Sequence, residues 1–164
     1  MKHLSLIILL AACQFAVCAA QTVTRTRHQA ALTTDQVTTG SMTINKPEYI
    51  CISTDGDKEQ LIMDGTKFTM TMGGKKHVTD SKKNPQFATF YKVLKAVINE
   101  QPIPASDDMT VSEANGQKTI TIASTKKKRQ MFTSLVLVVD AKTSAMRQLR
   151  MNERGGNYIN YDIK

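Results

Sequence analysis

One stretch, residues 84–100, most constrains what this chain can fold into, because it carries a helical period in a chain that otherwise alternates or turns. Its apolar side chains recur at the i, i+3, i+4, i+7 spacing of one helical face. They are Phe87, Phe90, Tyr91, Leu94, Val97 and Ile98. The polar residues that fall mostly off this stripe are Gln86, Lys92, Lys95 and Asn99. An amphipathic helix must bury its apolar stripe, and only strands flank it. We therefore expect the helix to lie across a curved antiparallel sheet.

The predicted helix has sequence signals at both ends. Asn84 can accept a hydrogen bond from a free N–H group of the first turn, and Pro85 occupies the first helical position, where a missing donor has no cost. Pro102 and Pro104 cannot continue a helix. These signals predict a helix of about sixteen residues, roughly 24 Å long.

Short alternating runs separated by turns fill the rest of the chain. Phe68, Met70 and Met72 alternate with polar residues, and Asn115-Gly116 is a strong signal for a β-hairpin. Counting such runs gives roughly nine to eleven strands. The predicted fold class is mainly β: an incomplete antiparallel β-barrel, or strongly curved sheet, with one lid helix on its concave face.

Two of these strands carry more specific expectations. Residues 22–28 alternate Thr with Val or Arg, which predicts an edge-like first strand. Residues 131–140 form the most apolar run after residue 20, and residues 135–139 are apolar at both parities. This pattern predicts a strand that is covered on both faces.

The first twenty residues have the pattern of a signal peptide. A short polar start precedes an apolar run at residues 4–10 that only Ser5 interrupts, and small residues up to Ala20 precede the polar Gln21. The apolar run is too short to span a bilayer. We therefore expect export to the periplasm, and a mature chain, residues 21–164, that forms one domain without a transmembrane segment.

A competing signal lies inside the same stretch. Leu10-Ala11-Ala12-Cys13 is similar to the site at which bacterial lipoproteins are cleaved and acylated on the cysteine. Apart from Gln14, the sequence after Cys13 stays apolar up to Ala20, whereas a tethered lipoprotein usually continues with a polar linker. This difference favours a soluble mature protein over an anchor at Cys13.

Charge and cysteine content bound the partners and the source of stability. Removing residues 1–20 lowers the formal net charge from +8 to +7, because Lys2 is lost, and the basic balance suits anionic partners. Only Cys51 would then remain, so no intramolecular disulfide is possible. Because Cys51 lies among apolar residues, we interpret it as a small buried hydrophobe.

An apolar cavity is expected on the concave face. The mature chain carries eight methionines, which are the nine of the sequence less Met1. Methionine-rich surfaces can repack around chains of variable shape, although ordinary core filling is the alternative interpretation. One helix covers only part of a sheet of about ten strands spaced about 4.8 Å, so apolar surface should remain as a ligand cavity or a dimer interface.

Strand parity predicts which side chains line this cavity. From the strands they are Met42, Ile44, Ile50, Ile52, Phe68, Met70, Met72, Met109, Val111, Ile120, Ile122, Leu135, Leu137, Leu149 and Met151. From the helix they are Phe87, Phe90, Tyr91, Leu94 and Ile98. A register slip of one residue would turn a strand's whole set outward.

Three basic runs are predicted in turns beside this surface: Lys75-Lys76, Lys82-Lys83 and residues 126–129. One interpretation is solvated hairpin ends that discourage edge aggregation. The other is a rim that attracts anionic head groups or an acidic partner. Export and the lack of aromatic residues at these runs argue against nucleic acid as a partner.

Catalysis finds little support in the sequence. His28 and His77 are isolated, no cluster has metal-ligand spacing, and Gly73-Gly74-Lys75 lacks the rest of a phosphate loop. We therefore expect neither an enzyme nor a cofactor or metal site.

Three ordered motifs carry a resemblance to a known family. They are Gly40-x-Met42-x-Ile44-x-Lys46-Pro47, Ile62-Met63-Asp64-Gly65-x-Lys67-Phe68, and Thr143-x-x-Met146-x-x-Leu149-x-Met151-x-Glu153-x-Gly155-Gly156-Asn157-Tyr158, with the helix between the second and the third. In this order the chain resembles the periplasmic lipoprotein carriers, the LolA-like proteins, from about Val37 to its end.

The resemblance implies a half-open barrel with an apolar concave face under a helical lid. It also implies a carrier that takes the acyl chains of lipoproteins, or another lipid, from an inner-membrane transporter to an outer-membrane receptor. Family members usually begin with a helix that contributes to the lid, whereas this mature chain begins in strand. A cell-envelope module that binds a protein partner on the same face is the main alternative, and an enzyme accessory or hydrolase is a second.

Overall fold

The computed structural model describes residues 20–124 and 130–164. The signal peptide and the acylation site at Cys13, both predicted from sequence, lie outside the described residues, as does the basic run at 126–129.

The described residues form eleven strands, one α-helix and two short 3-10 turns. The strands are β1 Gln21–His28, β2 Gln36–Asn45, β3 Tyr49–Thr54, β4 Glu59–Asp64, β5 Lys67–Met72, β6 Lys75–Asp80, β7 Met109–Ala114, β8 Gln117–Ala123, β9 Ser134–Asp140, β10 Met146–Asn152 and β11 Tyr158–Ile163. The helix α1 is Pro85–Ile98, and the 3-10 turns are Ser81–Lys83 and Arg154–Gly156. The mainly-β fold class is confirmed.

All the strands belong to one antiparallel sheet in the order β6-β5-β4-β3-β2-β1-β11-β10-β9-β8-β7. Each half of the chain is a meander, and the pairing of β1 with β11 joins the two halves. Within the described residues β6 and β7 have no partner on their outer side, so the sheet is not closed. The expectation that β1 is an edge strand is wrong, because β1 lies in the middle of the sheet between β2 and β11.

The sheet is strongly curved. Arg25 on β1 and Glu59 on β4 are three strands apart, which is about 14 Å in a flat sheet. Yet Arg25 Nη1 lies 2.6 Å from Glu59 Oε2 across the concave side. An open sheet that curls this far is the predicted incomplete barrel.

Two hairpins have tight turns, one of them at the predicted Asn115-Gly116 and the other at Gly73-Gly74. Asn115 and Gly116 have φ of 52° and 73°, and Gly73 and Gly74 have φ of 53° and 73°. Positive φ at both central positions is the geometry that matches the twist of the paired strands. These turns fix the register of β7 with β8 and of β5 with β6.

The helix begins as predicted and ends earlier. The Asn84 side chain accepts a hydrogen bond of 3.1 Å from the backbone N–H of Gln86, and Pro85 is the first helical residue. At the other end Glu100 has φ of 56°, and the N–H of Gln101 donates to the Ala96 carbonyl at 2.8 Å. This Schellman-type ending precedes Pro102, so the prolines are not what terminates the helix.

The helix buries a wider face than its stripe predicts. Phe90, Leu94 and Val93 are all 2% exposed or less. Gln86 falls mostly off the predicted stripe but is fully buried, and its Nε2 lies 3.5 Å from the Ile122 carbonyl oxygen. The cause is that the first turn of the helix is covered by β8 and by Phe132, whose ring centroid is 6.4 Å from that of Phe87.

Strand β9 differs from its prediction in two ways. It begins at Ser134, because Phe132 leaves the strand and packs into the core at 1% exposure. Its outward residues Val136 and Val138 are half-buried, so the second face is only partly covered. They pair with Arg150 and Gln148, whose long side chains can shield them in part.

Cys51 is also less buried than predicted. It is a free thiol of intermediate exposure on β3, at the strand parity opposite to the buried Ile50 and Ile52. Because those neighbours face the core, Cys51 faces outward.

Candidate functional site

The concave face is built by cross-strand rows of apolar side chains. In one half of the sheet, Met42 is opposite Ile52, which is opposite Leu61, which is opposite Met70. Directly paired residues project to the same side of an antiparallel sheet, so each row crosses the concave face. In the other half a similar row is Leu149, Leu137, Ile120 and Val111.

The predicted lining residues lie on this face or on the helix above it. Those that are buried are Met42, Ile50, Ile52, Phe68, Met70, Phe87, Phe90, Leu94, Ile98, Ile120, Ile122, Leu135, Leu137, Leu149 and Met151. Those that are half-buried are Ile44, Met72, Tyr91 and Met109. Val111 shares the face but is 50% exposed, because it lies on the edge strand β7. Contact with a ligand stays a prediction for all of them.

Sequence reasoning missed part of this face. Leu61 and Met63 on β4 are 3% exposed and complete the rows, and their alternation within β4 is the signal that could have found them. Arg25 is 1% exposed on the same face, and no sequence signal distinguishes it from an exposed strand arginine. Phe132 was missed because it lies in a connection rather than in a strand.

The helix seals the middle of the concave face. The Phe68 ring centroid is 4.7 Å from that of Phe87 and 5.6 Å from that of Phe90. The void that remains between Phe90, Leu94 and the strands has a volume of only about 10 Å³, too small to hold more than a water molecule. A long ligand can therefore occupy the middle of this face only if α1 moves.

An open cavity lies at the C-terminal end of α1. It has a volume of about 640 Å³. Its floor is apolar, with Met42, Ile44, Val97, Ile98 and Met146, and its rim includes Lys46, Glu100 and Thr143. We call it the helix-end cavity. It gives access to the apolar face from the end of β2 that carries Ile44.

A second cavity of about 400 Å³ lies toward the other end of β2, where Gln36 pairs with Arg27. Its lining residues are Arg27, Met70, Met72, Gly73, Lys75, His77, Met131 and Glu153. We call it the basic cavity. Lys75 and His77 come from the edge strand β6 and Arg27 from the central strand β1, which meet here because the sheet curls.

A buried ion pair stands between the apolar rows and the basic cavity. Arg25 contacts Glu59 and its Nη2 lies 3.4 Å from Met72 Sδ. A charge at this depth must be paired, because an unpaired one is strongly unfavourable. Burial raises the pKa of the neighbouring Tyr161 phenol to about 12, although nearby Arg25 acts in the opposite direction. Tyr161 is therefore neutral at any physiological pH.

Polar contacts hold the C-terminal half of the helix to the β2–β3 turn. Lys95 forms an ion pair with Glu48, and Asn99 Nδ2 donates to the Pro47 carbonyl oxygen at 2.8 Å. The hydrogen bond from Lys95 holds the pKa of Glu48 below its ordinary value. Lys46 and Glu100 add an exposed pair at 3.0 Å. Such pairs at the surface are individually weak.

One further polar contact lies nearer the start of the helix. The Thr89 hydroxyl donates to the carboxylate of Asp108 at 3.0 Å, in the connection that leads to β7.

The described residues contain no group of three or more His, Cys, Asp and Glu side chains arranged to hold a metal ion. In residues 20–124 and 130–164 no helix has the length and apolarity that crossing a membrane requires.

Comparison with known protein families finds a match over most of the chain. The family described as "Outer membrane lipoprotein carrier protein LolA" matches residues 19–164. No curated protein matches the chain.

Solved structures that the comparison matches to this chain include a LolA superfamily protein from Nitrosomonas europaea and LprF from Mycobacterium bovis. The first is 7% identical, covers 88% of this chain and 83% of its own, and has a TM-score of 0.35. The second is 9% identical, covers 88% of this chain and 83% of its own, and has a TM-score of 0.34.

Proposed function

Because this chain belongs to the LolA family of outer membrane lipoprotein carriers, we propose that it is a non-enzymatic periplasmic carrier that shields acyl chains of lipoproteins, or of another lipid, during transfer from the inner to the outer membrane. An inner-membrane transporter and an outer-membrane receptor would be its partners.

The observation that carries this proposal is the relation of α1 to the open sheet. The helix covers an apolar face whose strands are paired with one another and not with it. It can therefore lift without breaking any strand pairing. The polar contacts that tie it to the β2–β3 turn are of the weak, solvated kind. When it lifts, the methionine-rich rows become a groove continuous with the helix-end cavity.

Mass spectrometry of lipids extracted from the purified mature protein tests the proposal. We expect reproducible acyl species in near-stoichiometric amounts. Ile44→Asp, which places a charge in the helix-end cavity, should reduce them, because a carboxylate among acyl chains is unfavourable. Val78→Asp is the matched control, since Val78 is 59% exposed on the outer edge strand, and it should retain them.

A ligand-free protein that forms a stable dimer would contradict the carrier function. That result would favour the alternative, a cell-envelope module that uses the same apolar face for a protein partner.

A further inference from the structure

The basic cavity combines an apolar floor with cations at one end. Met70 and Met72 form part of the floor, and Arg27, Lys75 and His77 supply the basic side chains. Met70 belongs to the cross-strand row that contains Leu61. The cavity is therefore the end of the apolar concave face rather than a separate surface depression.

The basic side chains of this cavity lack carboxylate partners in the described part of the chain. Neither Lys75 nor His77 forms an ion pair there, and Arg27 Nη1 only approaches Met72 Sδ at 3.6 Å. Glu153 is the one carboxylate among the described lining residues. The neighbouring Arg25 is already neutralised by Glu59. The helix-end cavity differs, because its Lys46 is paired with Glu100.

Strand register directs Lys75 toward this cavity. Lys75 pairs with Met72 and His77 pairs with Met70, so both share the concave side with the two methionines. Lys76 pairs with Thr71 at the opposite parity and projects to the convex side. Lys75 and Lys76 thus have the same charge and are both exposed, but they face different environments.

From this arrangement we infer that the basic cavity binds the phosphate ester of an anionic lipid whose acyl chains lie on the adjacent methionine-rich face. The inference rests on the proposed function and names the head group of its ligand. Arg27 offers a planar fork of donors that matches phosphate oxygens, and Lys75 and His77 add donors from the opposite wall. The carboxylate of Glu153 at the rim repels a second negative charge on the bound phosphate. The site therefore favours a monoanionic phosphodiester.

Calorimetric titration with two chain-matched lipids, dioctanoylphosphatidylglycerol and dioctanoylglycerol, tests this inference at one fixed salt concentration. The measured quantity is the ratio of the two dissociation constants, in which the contribution of the acyl chains cancels. Lys75→Gln and Arg27→Gln should each reduce the preference for the phosphate lipid about fivefold, which is the effect of one cation near an anionic group. Lys76→Gln, which removes the same charge from the convex side, should leave the ratio unchanged.

The outcomes separate the two proposals. If both lipids bind and the ratio of their dissociation constants is the same in the wild type, Lys75→Gln and Arg27→Gln, the head-group site is overturned and the carrier function stands. If neither lipid binds, both fall.

Inorganic phosphate separates a lipid head group from a free anion. Phosphate alone should leave the melting temperature of the protein unchanged, because without acyl chains it gains too little in an open cavity. A rise in melting temperature that Lys75→Gln abolishes would assign the site to a free phosphate and overturn the lipid assignment.

Discussion

Glu100 occupies a backbone position that suits glycine. Its φ of 56° lies in the left-handed region at the position just after the helix cap, where a side chain costs about 1 kcal/mol or more relative to glycine. Its exposed pair with Lys46 offsets little of this. We expect Glu100→Gly to increase the free energy of unfolding by about 0.5–1 kcal/mol in urea denaturation. Glu100→Ala, which loses the pair and keeps the backbone strain, should show no gain, and an equal gain would contradict the backbone explanation.

Glu48 makes the attachment of the helix depend on pH. Its pKa is lowered in the folded protein by the hydrogen bond from Lys95. Because the pKa of Glu48 is lower in the folded than in the unfolded protein, its carboxylate stabilises the fold at pH values above the unfolded pKa of about 4.3. This stabilisation is lost as the pH falls through the folded pKa. We therefore expect Glu48→Gln to remove part of the fall in melting temperature between neutral pH and pH values below about 4.

Glu113→Gln is the matched control for this experiment. Glu113 is exposed on β7 and approaches Lys118 only at 4.0 Å. If it changes the pH profile as much as Glu48→Gln does, the effect belongs to net charge and not to the helix contact.

Single residues also show where sequence reasoning stops. The parity of Met42, Ile52 and Met70 predicted their side of the sheet correctly, because alternation is a local property. The burial of Arg25 could not be predicted, because it depends on the ion pair with Glu59, and only the curvature of the sheet brings Glu59 near.

At the scale of the element, the helix is the part of the protein that we expect to move. Phe90 is 1% exposed and packs on Phe68, and truncating such a core residue normally costs about 3–5 kcal/mol. If α1 can undock while the sheet stays folded, the cost cannot exceed the free energy of docking. We expect Phe90→Ala to lose less than about 2 kcal/mol of stability and to bind a fluorescent acyl-chain probe markedly more weakly than the wild type.

Leu137→Ala is the control for this prediction. Leu137 is 1% exposed on the interior strand β9, which is paired on both sides. Its truncation should cost the full range of about 2–5 kcal/mol. If Phe90→Ala loses as much stability as Leu137→Ala and binds the probe as the wild type does, α1 belongs to a sealed core and does not move.

Most elements could be predicted from sequence, because each depends on local signals. The capped start of α1 and the Asn115-Gly116 turn are examples. The position of β1 could not be predicted, since its neighbour β11 is at the far end of the chain. The end of α1 was misjudged because Glu100 adopts a conformation that sequence assigns to glycine.

At the scale of the whole molecule, the open sheet and its single crossing helix create two cavities of different character. The helix-end cavity is mainly apolar, and the basic cavity places two cations, Arg27 and Lys75, and the imidazole of His77 beside methionines. Sequence predicted an apolar concave surface larger than one helix can cover. It could not predict that the centre would be sealed and that open volume would remain toward opposite ends of β2, because this depends on how far the sheet curls.

The central claim is that acyl chains bind on the concave face beneath α1. Photo-crosslinking with a diazirine-bearing acyl chain, followed by peptide mass spectrometry, tests it most directly. We expect labelled residues on the concave side of β3, β4 and β5 and on the buried face of α1, with Leu61, Met63 and Phe90 among them. Labelling confined to exposed residues of the convex side, such as Val37 and Val78, with none beneath the helix, would contradict the account.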